Sequence, residues 1–209
     1  MSKAAREPQY NTCLELAEKH GFARFGLMSN QVWKQDPKRI AIVLSRYKFV
    51  SKMLAGKNRV LEIGCADAFG SRIVKDTVSE LTAVDFDPIF IKDAEALADP
   101  YFPIEFRVHD VLAGPVAGSF DAVYCVDVFE HIPPDREDVF MHNVCESLAE
   151  HGVYISGIPT LESQTWASPQ SRAGHINCKS GADFQEFLHR YFHNVFMFCM
   201  NDEVVHTGF

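Results

Sequence analysis

Arg59 to Gly70 reads R-V-L-E-I-G-C-A-D-A-F-G. Val60, Leu61 and Ile63 are apolar and mostly β-branched, a run that fits a buried strand of a parallel sheet. Glu62 stands out within it, because a carboxylate near a buried strand end is costly unless it has a partner. Gly64 follows at once, then the small residues Cys65, Ala66 and Ala68, then Gly70. A strand that runs through a small-residue turn into a helix lets a ligand come close to the backbone. Downstream, Leu81-Thr82-Ala83-Val84 is apolar and β-prone, and Asp85 closes it. Asp85 lies about 20 residues beyond the glycine turn, the spacing at which an acidic residue meets a ribose hydroxyl in doubly wound folds. A nucleoside-bearing ligand is therefore expected.

Working outward, strand-like and helix-like segments alternate. Ser71 to Val78 is expected to be a crossover helix. Asp87-Pro88 opens a second, Ile89 to Leu97, since proline suits a first helical turn. Ile104 to Val108 predicts a third strand, ending at Asp110. Phe120 to Val126 predicts a fourth, ending at Asp127. Arg136 to Leu148 reads as helix with Gly152 beyond it, Val153 to Ile158 as a fifth strand and Asp183 to Tyr191 as a further helix. This alternation means a parallel α/β sheet with right-handed crossovers. At the end, Val195 to Met200, Asn201-Asp202 and Val204 to Phe209 read as a hairpin. Ahead of the sheet, residues 1–58 read as a mostly helical cap, and 59–209 as the core of a single domain. Asn11 to His20 is one cap helix, stopped at Gly21. Phe22, Phe25 and Leu27 form an apolar patch. From Asp36-Pro37 a second helix carries Ile40, Val43, Leu44, Tyr47, Val50 and Leu54 at helical spacing toward Gly56, a face that should pack on the sheet.

Composition narrows the function classes. A net charge of −8 over 209 residues argues against a nucleic-acid backbone as partner, which wants a basic face. Cys13, Cys65, Cys125, Cys145, Cys178 and Cys199 form no C-x-x-C pair, so reduced thiols in a cytoplasmic setting are expected. His175-x-x-Cys178 has no second pair, and no metal is expected. No apolar run is long enough to span a bilayer and no signal-peptide layout is present.

The choice of nucleoside turns on the first stretch. A dinucleotide site needs G-x-G-x-x-G, but those positions hold Gly64, Ala66 and Phe69. Glu62 would also repel a pyrophosphate, whereas it suits a cationic ligand. S-adenosylmethionine carries a ribose, an ammonium and a sulfonium, and no phosphate. Here the chain resembles the class I S-adenosylmethionine-dependent methyltransferases, in the small-molecule, methyltransferase type 11-like group. The resemblance covers about Arg59 to Phe209 and rests on V-L-E-I-G-C-A-D-A, A-V-D-F-D, V-H-D-V and F-D-A-V-Y-C-V-D-V-F-E-H-I-P. It departs at Ala66 and Ala68, where the family usually has glycines and two extra methyls narrow the loop. The implied fold is Rossmann-like, α/β, with seven mostly parallel strands in the order 3-2-1-4-5-7-6 flanked by helices.

Ligands of open parallel sheets bind at the carboxyl ends of the strands, where Glu62, Asp85, Asp110 and Asp127 all fall. The resemblance implies that the Gly64-Cys65-Ala66 turn faces the methionine part and that Asp85 takes the ribose hydroxyls. It implies that Phe86 flanks the adenine, that Asp110 accepts from its exocyclic amine beside Val111, and that Asp127 and Val128 lie near the methionine amine. Methyl transfer from a sulfonium is a direct displacement, so positioning is the main task, and a base helps where the acceptor sheds a proton. His131, directly after the fourth strand, and His175, in the polar loop Thr160 to Lys179, are the candidate catalytic bases. An Asn/Asp-Pro-Pro-Tyr motif is absent; V-D-V-F-E-H stands in its place. The expected acceptor is therefore a small polar molecule, a sugar or a lipid or polysaccharide intermediate, methylated on oxygen or nitrogen to leave S-adenosylhomocysteine. The other readings are a methyltransferase-like domain that binds without turnover and an NAD-dependent oxidoreductase. Oligomeric state is left open.

Overall fold

The computed structural model describes residues 4–200. A 3-10 turn, Pro8–Tyr10, leads into three helices: α1 (Asn11–His20), α2 (Leu27–Gln35) and α3 (Lys38–Met53). Then come β1 (Arg59–Ile63), α4 (Ser71–Lys75), β2 (Glu80–Asp85), α5 (Pro88–Ala96), β3 (Glu105–Val108), β4 (Phe120–Val126), α6 (Glu137–Ser147) and β5 (Leu148–Gly157). Two short helices, α7 (Pro169–Gly174) and α8 (Gly181–Leu188), close the described part. The five strands form one parallel sheet in the order β3-β2-β1-β4-β5, so the chain reverses direction across the sheet between β1 and β4. That reversal opens a crevice at the carboxyl ends of β1 and β4, where doubly wound folds bind ligands.

The strand sequences dictate what each face buries. Side chains alternate along a strand, so Val60 and Glu62 share one face with Ala122 and Tyr124, while Leu61 and Ile63 share the other with Val123 and Cys125. The first face packs on Tyr47, Val50 and Leu54 of the α3 region and on Val74 of α4. The helical spacing in Asp36 to Gly56 thus does lay its face on the sheet. The second face packs on Phe129, Phe140, Phe184 and Phe187, carried by α6, α8 and the turn after β4. Each large side chain of this kind contributes roughly 1.5–3 kcal/mol by leaving water. Local signals set the helix starts: Asp87 accepts from the Ile89 amide at 2.8 Å with Pro88 in the first turn, and Ser180 accepts from the Asp183 amide at the start of α8.

Several expected boundaries move. α2 lies where only an apolar patch was expected, because Leu27 and its neighbours gain helical order from capping groups distant in sequence. α4 stops at Lys75, as Asp76 to Ser79 turn back to place β2. β5 starts at Leu148 rather than Val153: Ala149 to Gly152 bulge out opposite Asp121, with His151 in the left-handed region at φ 64°. Val195 to Met200 is not a strand among the described residues. The expected hairpin partner, Val204 to Phe209, lies outside them. The described sheet therefore has five strands, and they follow the first five positions of the expected order.

Candidate functional site

The turn after β1 bends three times through left-handed backbone, at Gly64 (φ 74°), Ala66 (φ 46°) and Ala68 (φ 54°). Glycine enters that region freely, whereas each alanine there costs on the order of 1 kcal/mol. Gly64 has a second reason to be glycine. A Cβ at that position would come within 2.4 Å of the Val128 side chain, so the turns after β1 and β4 touch there and form the floor of the crevice.

Two carboxylates hold this floor. Asp85, at the end of β2, accepts from the Ala66 amide and from the Asp87 amide, each at 3.0 Å. It thereby ties the glycine turn to the next strand and keeps acceptor capacity on both oxygens. Glu62 is otherwise placed than expected. It is 1% exposed, and its oxygens accept from Tyr47 at 2.9 Å and Tyr124 at 2.8 Å. These are the partners its strand position required, and burial raises its pKa despite them. Glu62 therefore lies behind the turn rather than in the open crevice.

The N-terminal helices close over the same turn. Asp67 accepts from the Ser29 amide at 2.6 Å and the Ser29 hydroxyl at 3.0 Å, and Asp93 accepts from the Leu27 amide at 2.7 Å. Two acidic residues remote in sequence thus cap the start of α2. Gly26 allows the approach, since a Cβ there would meet the Asp67 Cβ at 2.3 Å. Gly70 does the same under the Tyr47 ring. From α3, Arg46 forms an ion pair with Asp127, which stands at the end of β4 in left-handed backbone (φ 57°). A hollow of about 230 Å³ lined by Ala23, Arg24, Phe25 and Phe69 adjoins this cover. Another, of about 250 Å³, lies around Asp121 and His151 at the opposite ends of the strands, away from these carboxylates.

On the β2–β3 side, Phe86 is 73% exposed, so its ring offers a face. Asp110 is exposed and accepts from the Leu112 amide at 2.8 Å. Val111 is buried, and its carbonyl accepts from Asn143. On the β4–β5 side, the two candidate histidines meet: the His131 and His175 rings are 5.2 Å apart, edge to face. His131 Nδ1 lies 2.8 Å from the Gly174 carbonyl and His175 Nδ1 lies 2.9 Å from Gln164 Oε1. Both partners only accept, so each Nδ1 carries a hydrogen, and in the neutral ring Nε2 is the nitrogen with the lone pair. Burial, followed by the neighbouring His131, lowers the pKa of His175. Near them lies Glu130, fully buried, with no hydrogen-bond partner on either oxygen. Burial first, then Asp127, pushes its pKa up to about 8.

Sequence reasoning did not single out Arg46, Asp67 or Glu130. Arg46 and Asp67 had no local signal, because their partners are 81 and 38 residues away. Glu130 did have one: it is the only charge in the run Val128-Phe129-Glu130-His131-Ile132, whose neighbours Phe129 and Ile132 belong to the core.

Residues 60–152 match the family described as "Methyltransferase domain". A relative from Xanthomonas axonopodis pv. citri (strain 306), named ubiquinone biosynthesis O-methyltransferase, is 32% identical over 137 residues, covering 62% of this chain and 56% of that protein. The namesake from Xanthomonas oryzae pv. oryzae (strain PXO99A) is 33% identical over 118 residues, covering 53% and 49%. The chain spans about half the length of these curated relatives. The solved DhpI-SAM-HEP complex superposes with a TM-score of 0.58 at 20% identity, over 91% of this chain and 90% of that one, a likeness of fold.

Proposed function

We propose that the chain is a class I S-adenosylmethionine-dependent methyltransferase and that it transfers a methyl group from S-adenosylmethionine to an oxygen or nitrogen of a small polar acceptor, a reading supported by the family match over residues 60–152. Oxygen is the favoured atom, in keeping with the O-methyltransferase names of its relatives. A sugar or a lipid or polysaccharide intermediate suits the polar loop beside His175. The observation that carries the reading is the Asp85–Ala66 bond. It sets a carboxylate with spare acceptor capacity one strand away from the glycine turn, where a ribose and a methionine chain joined together would both be met.

In this reading Asp85 binds the ribose, Phe86 covers the adenine with Asp110 and Val111 at its edge, and the turn Gly64-Cys65-Ala66 with Val128 lines the methionine chain. Arg46 and Asp127 carry opposite charges side by side, so a ligand bearing both a carboxylate and an ammonium finds one partner for each. Glu62 acts from behind the turn, by holding Tyr47 and Tyr124. The helical segment ahead of β1, α1 to α3, forms the cap over the site. The acceptor approaches from the β4–β5 side. Its oxygen bonds to the methyl carbon as the carbon–sulfur bond breaks, the sulfonium becomes a neutral thioether, and the acceptor proton goes to a neutral imidazole Nε2 of His175 or His131. No described helix is long and apolar enough to cross a membrane, and a cytoplasmic enzyme acting without nucleic acid is the setting we infer.

Titration calorimetry tests the reading. Saturable binding of S-adenosylmethionine and S-adenosylhomocysteine, with none of NAD, is expected. Tight NAD binding with no response to S-adenosylhomocysteine would sink it and favour the oxidoreductase. The reading as a binding domain without turnover draws on one observation, the two alanines in left-handed backbone at the turn. Binding of the cofactor with no methyl transfer across a panel of hydroxylated acceptors would favour it.

A further inference from the structure

We propose that Glu130, His131 and His175 form a site for a divalent first-row transition cation on the acceptor side of the crevice. The ligand atoms these three residues can offer lie within 4.8 Å of one another. That spacing lets a cation bond to all three with small side-chain movements, given metal–nitrogen and metal–oxygen bonds of about 2.0–2.2 Å.

Three independent features point to a cation. The first is Glu130 itself: a fully buried carboxylate whose two oxygens have no hydrogen-bond partner. Such a group is costly unless something completes it, and His131 Nε2 stands 3.9 Å away, too far for a hydrogen bond. The second is the way both rings are held. Each Nδ1 is anchored on an oxygen acceptor, Gly174 O for His131 and Gln164 Oε1 for His175. Metal-bound histidines are oriented in this way, with the far nitrogen hydrogen-bonded and the near one presented as a lone pair. The third is that the loop is built to bring His175 there. The Asn177 amide donates to the Glu130 carbonyl at 3.0 Å, and Asn177 and Lys179 both bind Glu137 at the start of α6.

The donor set selects the ion. Two imidazoles and one carboxylate suit zinc, iron, manganese or cobalt, whereas magnesium and calcium prefer oxygen ligands throughout. Three protein ligands leave positions open for an acceptor oxygen. Asp127 is the nearby carboxylate that is already engaged, by Arg46. The expectation of no metal from sequence looked only for closely spaced ligand pairs. Here His175 joins Glu130 and His131 from 44 residues away, through the loop after β5.

The catalytic use of the cation rests on the methyltransferase reading; its binding does not. With a cation bound, both Nε2 lone pairs would be taken up as ligands and the histidines would no longer serve as bases; the cation would instead ease loss of the acceptor hydroxyl's proton to water, and the acceptor oxygen would bond to the methyl carbon as the carbon–sulfur bond breaks to leave a neutral thioether. The experiment therefore reads binding first. The full chain, stripped with a chelator, is titrated with Co²⁺ and followed by its visible absorption, with Zn²⁺ as displacing ion. S-adenosylhomocysteine binding is measured on the same samples to report folding of the crevice. One Co²⁺ per chain is expected, displaced by Zn²⁺. Glu130→Gln and His175→Ala should each weaken Co²⁺ at least tenfold while S-adenosylhomocysteine affinity changes less than threefold, and His193→Ala, at an exposed histidine beyond α8 and outside the cluster, should change neither. Equal Co²⁺ affinity in the parent, Glu130→Gln and His175→Ala would overturn the site, as would a spectrum dominated by thiolate ligation. Loss of S-adenosylhomocysteine binding in the parent chain would instead count against the proposed activity and leave the cation result to stand by itself.

Discussion

Glu130 shows what one carboxylate can do to the pH response of this fold. In the folded chain its pKa rises from 4.5 to about 8, chiefly through burial. Between those values the folded state holds a proton that the unfolded state releases. Stability therefore falls as pH rises through this window, by up to about 1.4 kcal/mol per pH unit from this group. Below it both states are protonated and the effect vanishes. Glu130→Gln keeps the shape and removes the ionisation, so with chelator present the variant should gain on the parent steadily from about pH 5 to pH 8. Urea midpoints across that range measure it, and parallel curves for the two proteins would show that Glu130 is not shifted. Asp85 and Asp110 make a second comparison at this scale. Asp85→Ala should weaken S-adenosylhomocysteine by about a hundredfold or more, since two hydroxyls on a charged acceptor contribute roughly 1.5–3 kcal/mol each, and its bond to Ala66 is lost as well. Asp110→Ala should weaken it less, because Asp110 lies at the exposed end of β3 with one loop amide as its partner. Calorimetry that ranks Asp110→Ala as the more damaging would reverse the proposed orientation of the nucleoside.

Among the elements, α2 depends most on tertiary contacts. It buries only Ser29, and Asp67 and Asp93 supply acceptors to its first turn. Asp67 belongs to the glycine turn itself, so the helix and the turn are ordered together. Asp67→Ala should destabilise the chain by about 1–3 kcal/mol through the lost cap and the bonds to a charged acceptor. Hydrogen exchange should quicken at least tenfold at Leu27 to Asn30, and cofactor release should quicken with it. Unchanged exchange there would mean that α2 holds its place without the turn. By contrast α3 is fastened by burial of Tyr47, Val50 and Leu54 and should keep its protection in that variant.

For the whole molecule, three parts meet around the turn after β1: helices α2 and α3 ahead of the sheet, the strand ends, and the loop after β5. A ligand that touches all three stabilises the folded chain as a unit. S-adenosylhomocysteine at a hundred times its dissociation constant should add about 2.7 kcal/mol. For a chain of this size that corresponds to a rise in Tm of roughly 5–10 °C, at about 2–4 °C per kcal/mol. NAD at the same concentration should give no rise. Scanning calorimetry decides, and a rise with NAD alone would fit only the oxidoreductase reading.

Much of this was legible in the sequence because the relevant physics is local. Val60-Leu61-Ile63, Leu81 to Val84 and Phe120 to Val126 are strands by composition, and the segments between them are long enough for crossover helices, so the parallel sheet follows; the order of its strands was implied only by the family resemblance. The turn after Ile63 and the acid closing β2 were likewise marked by residue type and spacing, and His131 and His175 by their chemistry. What depended on distant partners was not legible. Glu62 reads as open to the ligand until Tyr47 and Tyr124 are folded onto its face of the sheet. Ala66 and Ala68 read only as extra methyls, yet the fold drives both into left-handed backbone. α2 has weak local signals and owes its start to acids 38 and 66 residues away. Arg46 could not be paired with Asp127, nor His175 with Glu130, by any spacing rule, because β4 and its flanking loops bring them together only after the sheet has formed. Sequence determined which strands exist and which chemistry sits at their ends; tertiary structure alone decided which of those charges are buried, paired or left without a partner, since burial and pairing depend on where the rest of the chain comes to lie.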